Sequence, residues 1–135
     1  MGHSRLIFYG DINMEWTIEY WEEIKTLYIK TRGRLTANDA NKMVADAVAA
    51  MSEHQCARQI VDHRATEFDL AIAEYYQRPS INEQIGISRK WKIAMVFKTL
   101  NENTQFMETV FKNRGYIFRQ FSSLEEARDW VLDDK

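Results

Sequence analysis

Between Met14 and Tyr20 the chain alternates: Met14, Trp16, Ile18 and Tyr20 are apolar, and Glu15, Thr17 and Glu19 between them are polar. A period of two is that of a strand with one buried face. The acidic step Glu22-Glu23 reads as a turn, and Thr26-Leu27-Tyr28-Ile29-Lys30-Thr31 as the hairpin partner. The pattern leaves open whether Leu6-Ile7-Phe8-Tyr9 adds a further strand. Gly33-Arg34-Leu35 then breaks the strand, and Thr36 is placed to cap a helix, with Asp39 in its positive first turn. Ala40, Met43, Val44, Ala47, Val48 and Met51 follow at helical spacing as one apolar stripe.

The next apolar run stops abruptly at Asp62-His63-Arg64, and Thr66 follows where a helix could start. This predicts a buried strand delivering polar groups to its C-terminal edge, the place where ligands and partners meet open α/β sheets. Phe68, Ile72, Tyr75 and Tyr76 predict a second helix stopping near Pro79, with residues 78–90 irregular after it. Ile93-Ala94-Met95-Val96-Phe97 is nearly continuous apolar sequence, as in a strand covered on both faces. Phe106, Met107, Val110 and Phe111 mark a helix that Gly115 ends, and residues 116–121 a last strand. Ser123-Leu124-Glu125-Glu126 opens a final helix burying Leu124, Ala127, Trp130 and Val131. The order β-β-α-β-α-β-α-β-α predicts a single α/β domain: a mixed, partly parallel sheet of about five strands with about four helices.

Composition narrows the function classes. The 135 residues suit one domain, and 45% hydrophobic with 28% charged residues is the globular range. A formal charge of -2 offers no basic face for nucleic acid. The single Cys56 excludes an internal disulfide and any Cys-based zinc motif. No stretch approaches the roughly 20 apolar residues of a membrane span, and no signal-peptide core opens the chain, so a cytoplasmic location is expected.

Several segments together resemble the SpoIIAA-like branch of the STAS superfamily. They are the hairpin into Gly33-Arg34-Leu35-Thr36 with its helix, the strand Val61-Asp62-His63-Arg64, and Lys92-Ile93-Ala94-Met95-Val96. The tail Gly115-Tyr116-Ile117-Phe118-Arg119-Gln120-Phe121 and Ser123-Leu124-Glu125-Glu126-Ala127-Arg128-Asp129-Trp130 completes the set. The resemblance implies a small, non-enzymatic bacterial domain acting in interaction or regulation. In the anti-sigma-factor antagonists of that superfamily, a Ser at the start of the helix after the equivalent strand is phosphorylated to control a partner kinase. Here that junction reads Asp62-His63-Arg64-Ala65-Thr66-Glu67, where only Thr66 offers a hydroxyl, and Glu67 and Asp69 would repel a phosphate. The superfamily's likeness to lipid-binding α/β domains also implies an apolar or amphiphilic ligand as the alternative occupant.

Two regions carry candidate chemistry. Asp62, His63 and Arg64 supply an acid, a titratable base and a fixed cation, able to bind an anion or simply to close a strand–helix junction. Strand alternation sends the three side chains to opposite faces, so they cannot converge while the strand stays regular. No nucleophile elbow accompanies His63, although Thr66 and Ser88 carry hydroxyls, so no catalytic residue and no enzyme are expected. His3, His54 and His63 are scattered and the glycines form no phosphate loop, so neither metal nor cofactor is expected. The second region is the helix of Phe68, Ile72, Tyr75 and Tyr76 with the loop after it, read as a lid over an apolar cavity or as plain core cover. Arg89, Lys90 and Lys92 flank Trp91, a basic–aromatic cluster suited to a lipid headgroup, an acidic partner or a solvated edge. Partner sites thus centre on Thr36, on Asp62 to Thr66 and on the helix and Trp91; a Trp130 face left exposed would suit a homodimer.

Overall fold

The computed structural model describes residues 3–10 and 13–133. Its sheet has six strands in the order of the chain: β1 (His3–Tyr9), β2 (Met14–Trp21), β3 (Thr26–Thr36), β4 (Arg58–Asp69), β5 (Lys92–Val96) and β6 (Ile117–Phe121). The first three pair antiparallel and the last four parallel, so the sheet is mixed. The sixth strand is the Leu6 to Tyr9 segment whose assignment the pattern left open. The β2–β3 hairpin turns through a short 3₁₀ helix, Glu22–Ile24, with Lys25 in the left-handed region at φ 49°.

Helices α1 (Ala37–His54), α2 (Ile72–Ile85) and α3 (Glu102–Asn113) cover one face, and α4 (Leu124–Leu132) covers the other. The stripe expected on α1 is the buried one: Ala40, Met43, Val44, Ala47 and Met51 pack on Trp16, Ile18, Leu27, Ile29 and Val61. The opposite, smaller cluster joins Tyr28, Ile60, Ala94, Val96 and Phe121 to Ala127 and Val131 of α4. Thr36 caps α1 as its position predicts, its Oγ1 accepting the Asp39 N–H at 3.2 Å. Thr36→Ala is expected to lower stability by about 1 kcal/mol, read as a shift in the urea midpoint at unchanged slope. A midpoint that does not move would show that the cap bond contributes nothing.

Three boundaries differ from the sequence reading, each for a physical reason. β3 does not end at Gly33. It passes through that residue at φ +112°, where an added Cβ would lie 1.6 Å from the Asn13 carbonyl oxygen, so the close approach of the β1–β2 connection requires glycine. β4 does not end at Asp62 but runs on to Asp69, paired with β3 beyond a register shift between Lys30 and Arg32. Phe68 therefore belongs to a strand, and Thr66 sits within β4 rather than at a helix start. α2 does not stop at Pro79 but continues to Ile85, leaving only residues 86–91 irregular. Proline removes an N–H donor from the helix interior. Here Arg78 fastens that turn, donating to Asn41 Oδ1 on α1 and to Asn82 Oδ1 one turn on, each at 2.6 Å.

Candidate functional site

Strand alternation divides the polar triplet of β4 between the two faces of the sheet. Asp62 and Arg64 share the α4 side. The Asp62 carboxylate accepts Arg64 Nε on Oδ1 at 2.9 Å and an Arg64 terminal N–H on Oδ2 at 2.8 Å, a two-point fork. Oδ1 also accepts the Arg64 backbone N–H at 3.1 Å, and Oδ2 accepts the Tyr28 hydroxyl at 2.5 Å. Burial opposes ionisation of Asp62, but the Arg64 and Tyr28 hydrogen bonds outweigh it and hold the carboxyl below its ordinary range. Burial, reinforced by the bond to Asp62, pushes the Tyr28 phenol well up. These bonds join the acid and the fixed cation into one ion pair within β4, which continues past them to Asp69.

His63 faces the other way, under α2, and is 2% exposed. Its ring lies 4.9 Å from Phe68, edge-on, and 5.5 Å from Phe97. Burial pushes its pKa down to about 4, against a smaller opposite pull from Asp62, so the imidazole is neutral at pH 7. Nδ1 meets the Thr31 hydroxyl at 2.7 Å, and that hydroxyl meets Thr66 Oγ1 at 2.5 Å. Thr31 thus stands between the base and the partly exposed Thr66 hydroxyl, where direct activation of a nucleophile would need the two in contact. Ser88 accepts the Lys90 N–H at 3.1 Å and closes the turn before β5. Among the described residues, no group of three or more His, Cys, Asp or Glu side chains is placed to hold a metal.

The expected lid has a different anatomy. Tyr75 is buried and stacks on Phe68 with ring centroids 6.3 Å apart, whereas Ile72 is 66% and Tyr76 54% exposed. The four residues do not share an inward face, because Phe68 lies on the strand and α2 turns Ile72 and Tyr76 outward. Between α2 and the sheet lie two voids of about 30 Å³ each, lined by Met43, Val44, Asn82 and Met95 among others. Each has the volume of only a water or two, whereas sites for small organic ligands run from about 300 Å³ upward. The larger concavities, such as one of about 790 Å³ along Tyr9, Met14 and Arg32, are open clefts of the surface.

The basic–aromatic cluster is largely engaged by its own protein. Arg89 pairs with Glu83 at 2.8 Å, donates to the Arg114 carbonyl and lies over the Tyr116 ring at 4.7 Å. Lys92 lies over the Trp130 ring at 4.7 Å and donates to the Asp133 carbonyl; Trp91 packs against the main core. Trp130 is half-buried, with Lys92 over its ring and Phe121 at 5.7 Å between rings.

The feature that sequence reasoning missed is a surface. Phe106 of α3, one of the residues that mark that helix in the sequence, is 37% exposed and packs its ring on Tyr76 at 4.3 Å. Ile72, Tyr76 and Phe106 form one apolar patch across α2 and α3, with Glu74 and Glu102 on the same helices a few residues away. Only the pairing of α2 with α3 makes the patch visible, and that pairing has no local signature.

No family model matches this chain, and no curated protein matches it either. Solved structures do. An uncharacterized protein from the DUF3478 family with a SpoIIAA-like fold, from Shewanella loihica PV-4, aligns with TM-score 0.52 at 17% identity, covering 96% of this chain and 94% of that one. The anti-sigma factor antagonist SpoIIAA in its unphosphorylated form aligns with TM-score 0.47 at 13% identity, over 95% of this chain and 97% of that one. The chain has a SpoIIAA-like, STAS-like fold.

Proposed function

We propose that this chain is a non-catalytic STAS-like domain that works by docking a protein partner on the Ile72, Tyr76 and Phe106 patch. The observation that carries the reading is the exposure of three large apolar side chains on two adjacent helices of a domain whose core has no room for a ligand. Contiguous exposed apolar surface rimmed by polar groups marks interaction sites. Glu102, one turn before Phe106 on α3, favours a partner that presents a basic residue next to an apolar one. Asp62, Arg64 and His63 serve as framework here: the first two neutralise each other and the third is sealed from solvent.

Other readings draw less support. A carrier of a small apolar or amphiphilic ligand at a membrane surface needs a cavity, and the voids under α2, about 30 Å³ each, are too small for one. Attachment through Arg89, Lys90, Trp91 and Lys92 would rest chiefly on Lys90, since Arg89 and Lys92 are committed to internal partners. Phosphate on Thr66 would have to break the bond to Thr31 from within a strand.

Tyr76→Glu is expected to cost about 1 kcal/mol of stability through the lost Phe106 contact, leaving the domain folded, and to abolish partner binding. A photo-crosslinking residue placed at Ile72 in the cells of origin should give a discrete protein adduct. The adduct should vanish with Tyr76→Glu and be missing when the crosslinker stands at Lys30 on the opposite face. Adducts that form equally at both positions, or that survive Tyr76→Glu, would remove the patch as the docking site.

A further inference from the structure

The sheet has two edges, and they are treated differently. On β6 the strand is five residues long, and the Gln120 N–H is taken by Glu108 Oε1 of α3 at 2.6 Å. On β1 the strand is seven residues long, pairs among the described residues with β2 alone, and carries Leu6, Ile7 and Tyr9, each at least half exposed. It has no proline, and its one formal charge among the residues with described side chains, Arg5, points outward. Sheet edges left unpaired are normally shortened, charged or covered, because their free N–H and C=O groups template another strand. β6 follows that rule and β1 does not.

We propose that the β1 edge is the self-association surface of this protein: two copies pair β1 to β1 antiparallel about a two-fold axis at Ile7, joining the two sheets into one. The sequence is self-complementary in that register. Ile7 faces its own copy, Leu6 faces Phe8, and Arg5 faces Tyr9. No like charges oppose one another. Arg5, Ile7 and Tyr9 lie on one face of the strand and Leu6 and Phe8 on the other, as the pairing of Leu6 with the inward Ile18 of β2 fixes. Each Arg5 then meets a Tyr9 ring, a cation–π contact of the kind this chain already makes between Arg89 and Tyr116. Phe8, already packed on the core, would cover the exposed Leu6 of the other copy. An isologous contact of this kind closes at two copies, which converts an aggregation-prone edge into a defined dimer.

The test uses the full chain in analytical ultracentrifugation over a wide concentration range. The parent should sediment at twice the chain mass. Ile7→Lys sets two lysines directly opposite across the axis, their Cβ atoms about 5 Å apart, and should weaken association roughly a hundredfold or more, with an unchanged circular dichroism spectrum. Because that variant changes an edge strand, Ile7→Cys gives an independent reading: under mild oxidation it should crosslink two chains at position 7, whereas Arg5→Cys, which faces Tyr9, should crosslink poorly. The buried Cys56 is out of reach of either. A parent that stays monomeric at all concentrations overturns the proposal, as does a dimer indifferent to Ile7→Lys or one that crosslinks better at position 5. A chain that stays monomeric by itself and gains mass only with another protein overturns it equally. The Tyr76→Glu variant should dimerise normally, so failure here and failure of the docking patch are separable.

Discussion

Acidification from pH 7 to about 4 is expected to remove about 3 kcal/mol of stability through His63 alone. The unfolded imidazole takes up its proton near 6.5, whereas the folded one, buried among Phe68, Phe97 and Thr31, does so at about 4. A base whose folded pKa is depressed contributes stability that is complete above the unfolded value and is lost as pH falls toward the folded one. Between those limits the slope is about 1.4 kcal/mol per pH unit. Carboxylates also titrate near the lower limit, so the measurement is a difference. Urea midpoints of the parent and of His63→Gln are compared across pH 7 to 4, since the glutamine amide can still hydrogen-bond the Thr31 hydroxyl but does not titrate. The parent's profile should fall more steeply than the variant's by that slope. Parallel profiles would mean that His63 is not sealed from solvent, and its dismissal as a functional base would fall with it.

The second large effect belongs to Arg64. Arg64→Ala leaves the Asp62 carboxylate buried with only the Tyr28 hydroxyl and one backbone N–H as donors. Removing one partner of a fully buried pair destabilises by about 3–5 kcal/mol. The Arg64 side chain is 42% exposed and two donors remain, so about 2–3 kcal/mol at pH 7 is the appropriate expectation. The pH dependence carries the diagnosis. In the parent the Asp62 pKa is depressed, so its contribution is present above the unfolded carboxyl value and is lost as pH falls through the folded one. In the variant, burial without Arg64 raises it, so the penalty is present at neutral pH and disappears as pH falls. The gap between the two proteins should therefore close on acidification, and Asp62→Asn in the variant background should recover part of it at pH 7. A gap below 1 kcal/mol, or one constant from pH 7 to 4, would show a solvated pair that contributes little to the sheet.

Much of the fold was legible along the chain because it rests on local periodicity. The alternation of β2, the stripe of α1, the Thr36 cap and the Gly115 stop each declare themselves within a few residues. β4 was misjudged because its neutralising contacts are not local in the same way. Tyr28 lies 34 positions from Asp62, and the Arg64 fork becomes visible only once both residues are known to share a strand face. α2 was cut short for a similar reason: the Asn41 that helps hold Arg78, and so the turn at Pro79, belongs to another helix. The candidate site was legible only in part. Ile72 and Tyr76 were picked out as aromatic or apolar helix positions facing inward, whereas they face outward and gain Phe106 from α3. Hydrophobicity alone does not distinguish a core stripe from a docking patch; only the position of the neighbouring helix does.

Native mass spectrometry of the full chain purified gently from cells bears most directly on whether this domain works through its surface. The expected spectrum contains the chain with itself or with another protein, carries no retained small molecule, and loses the heterologous complex with Tyr76→Glu. A small organic molecule retained stoichiometrically by the parent and by Tyr76→Glu alike would contradict it, because the working site would then be a ligand site and not the docking patch.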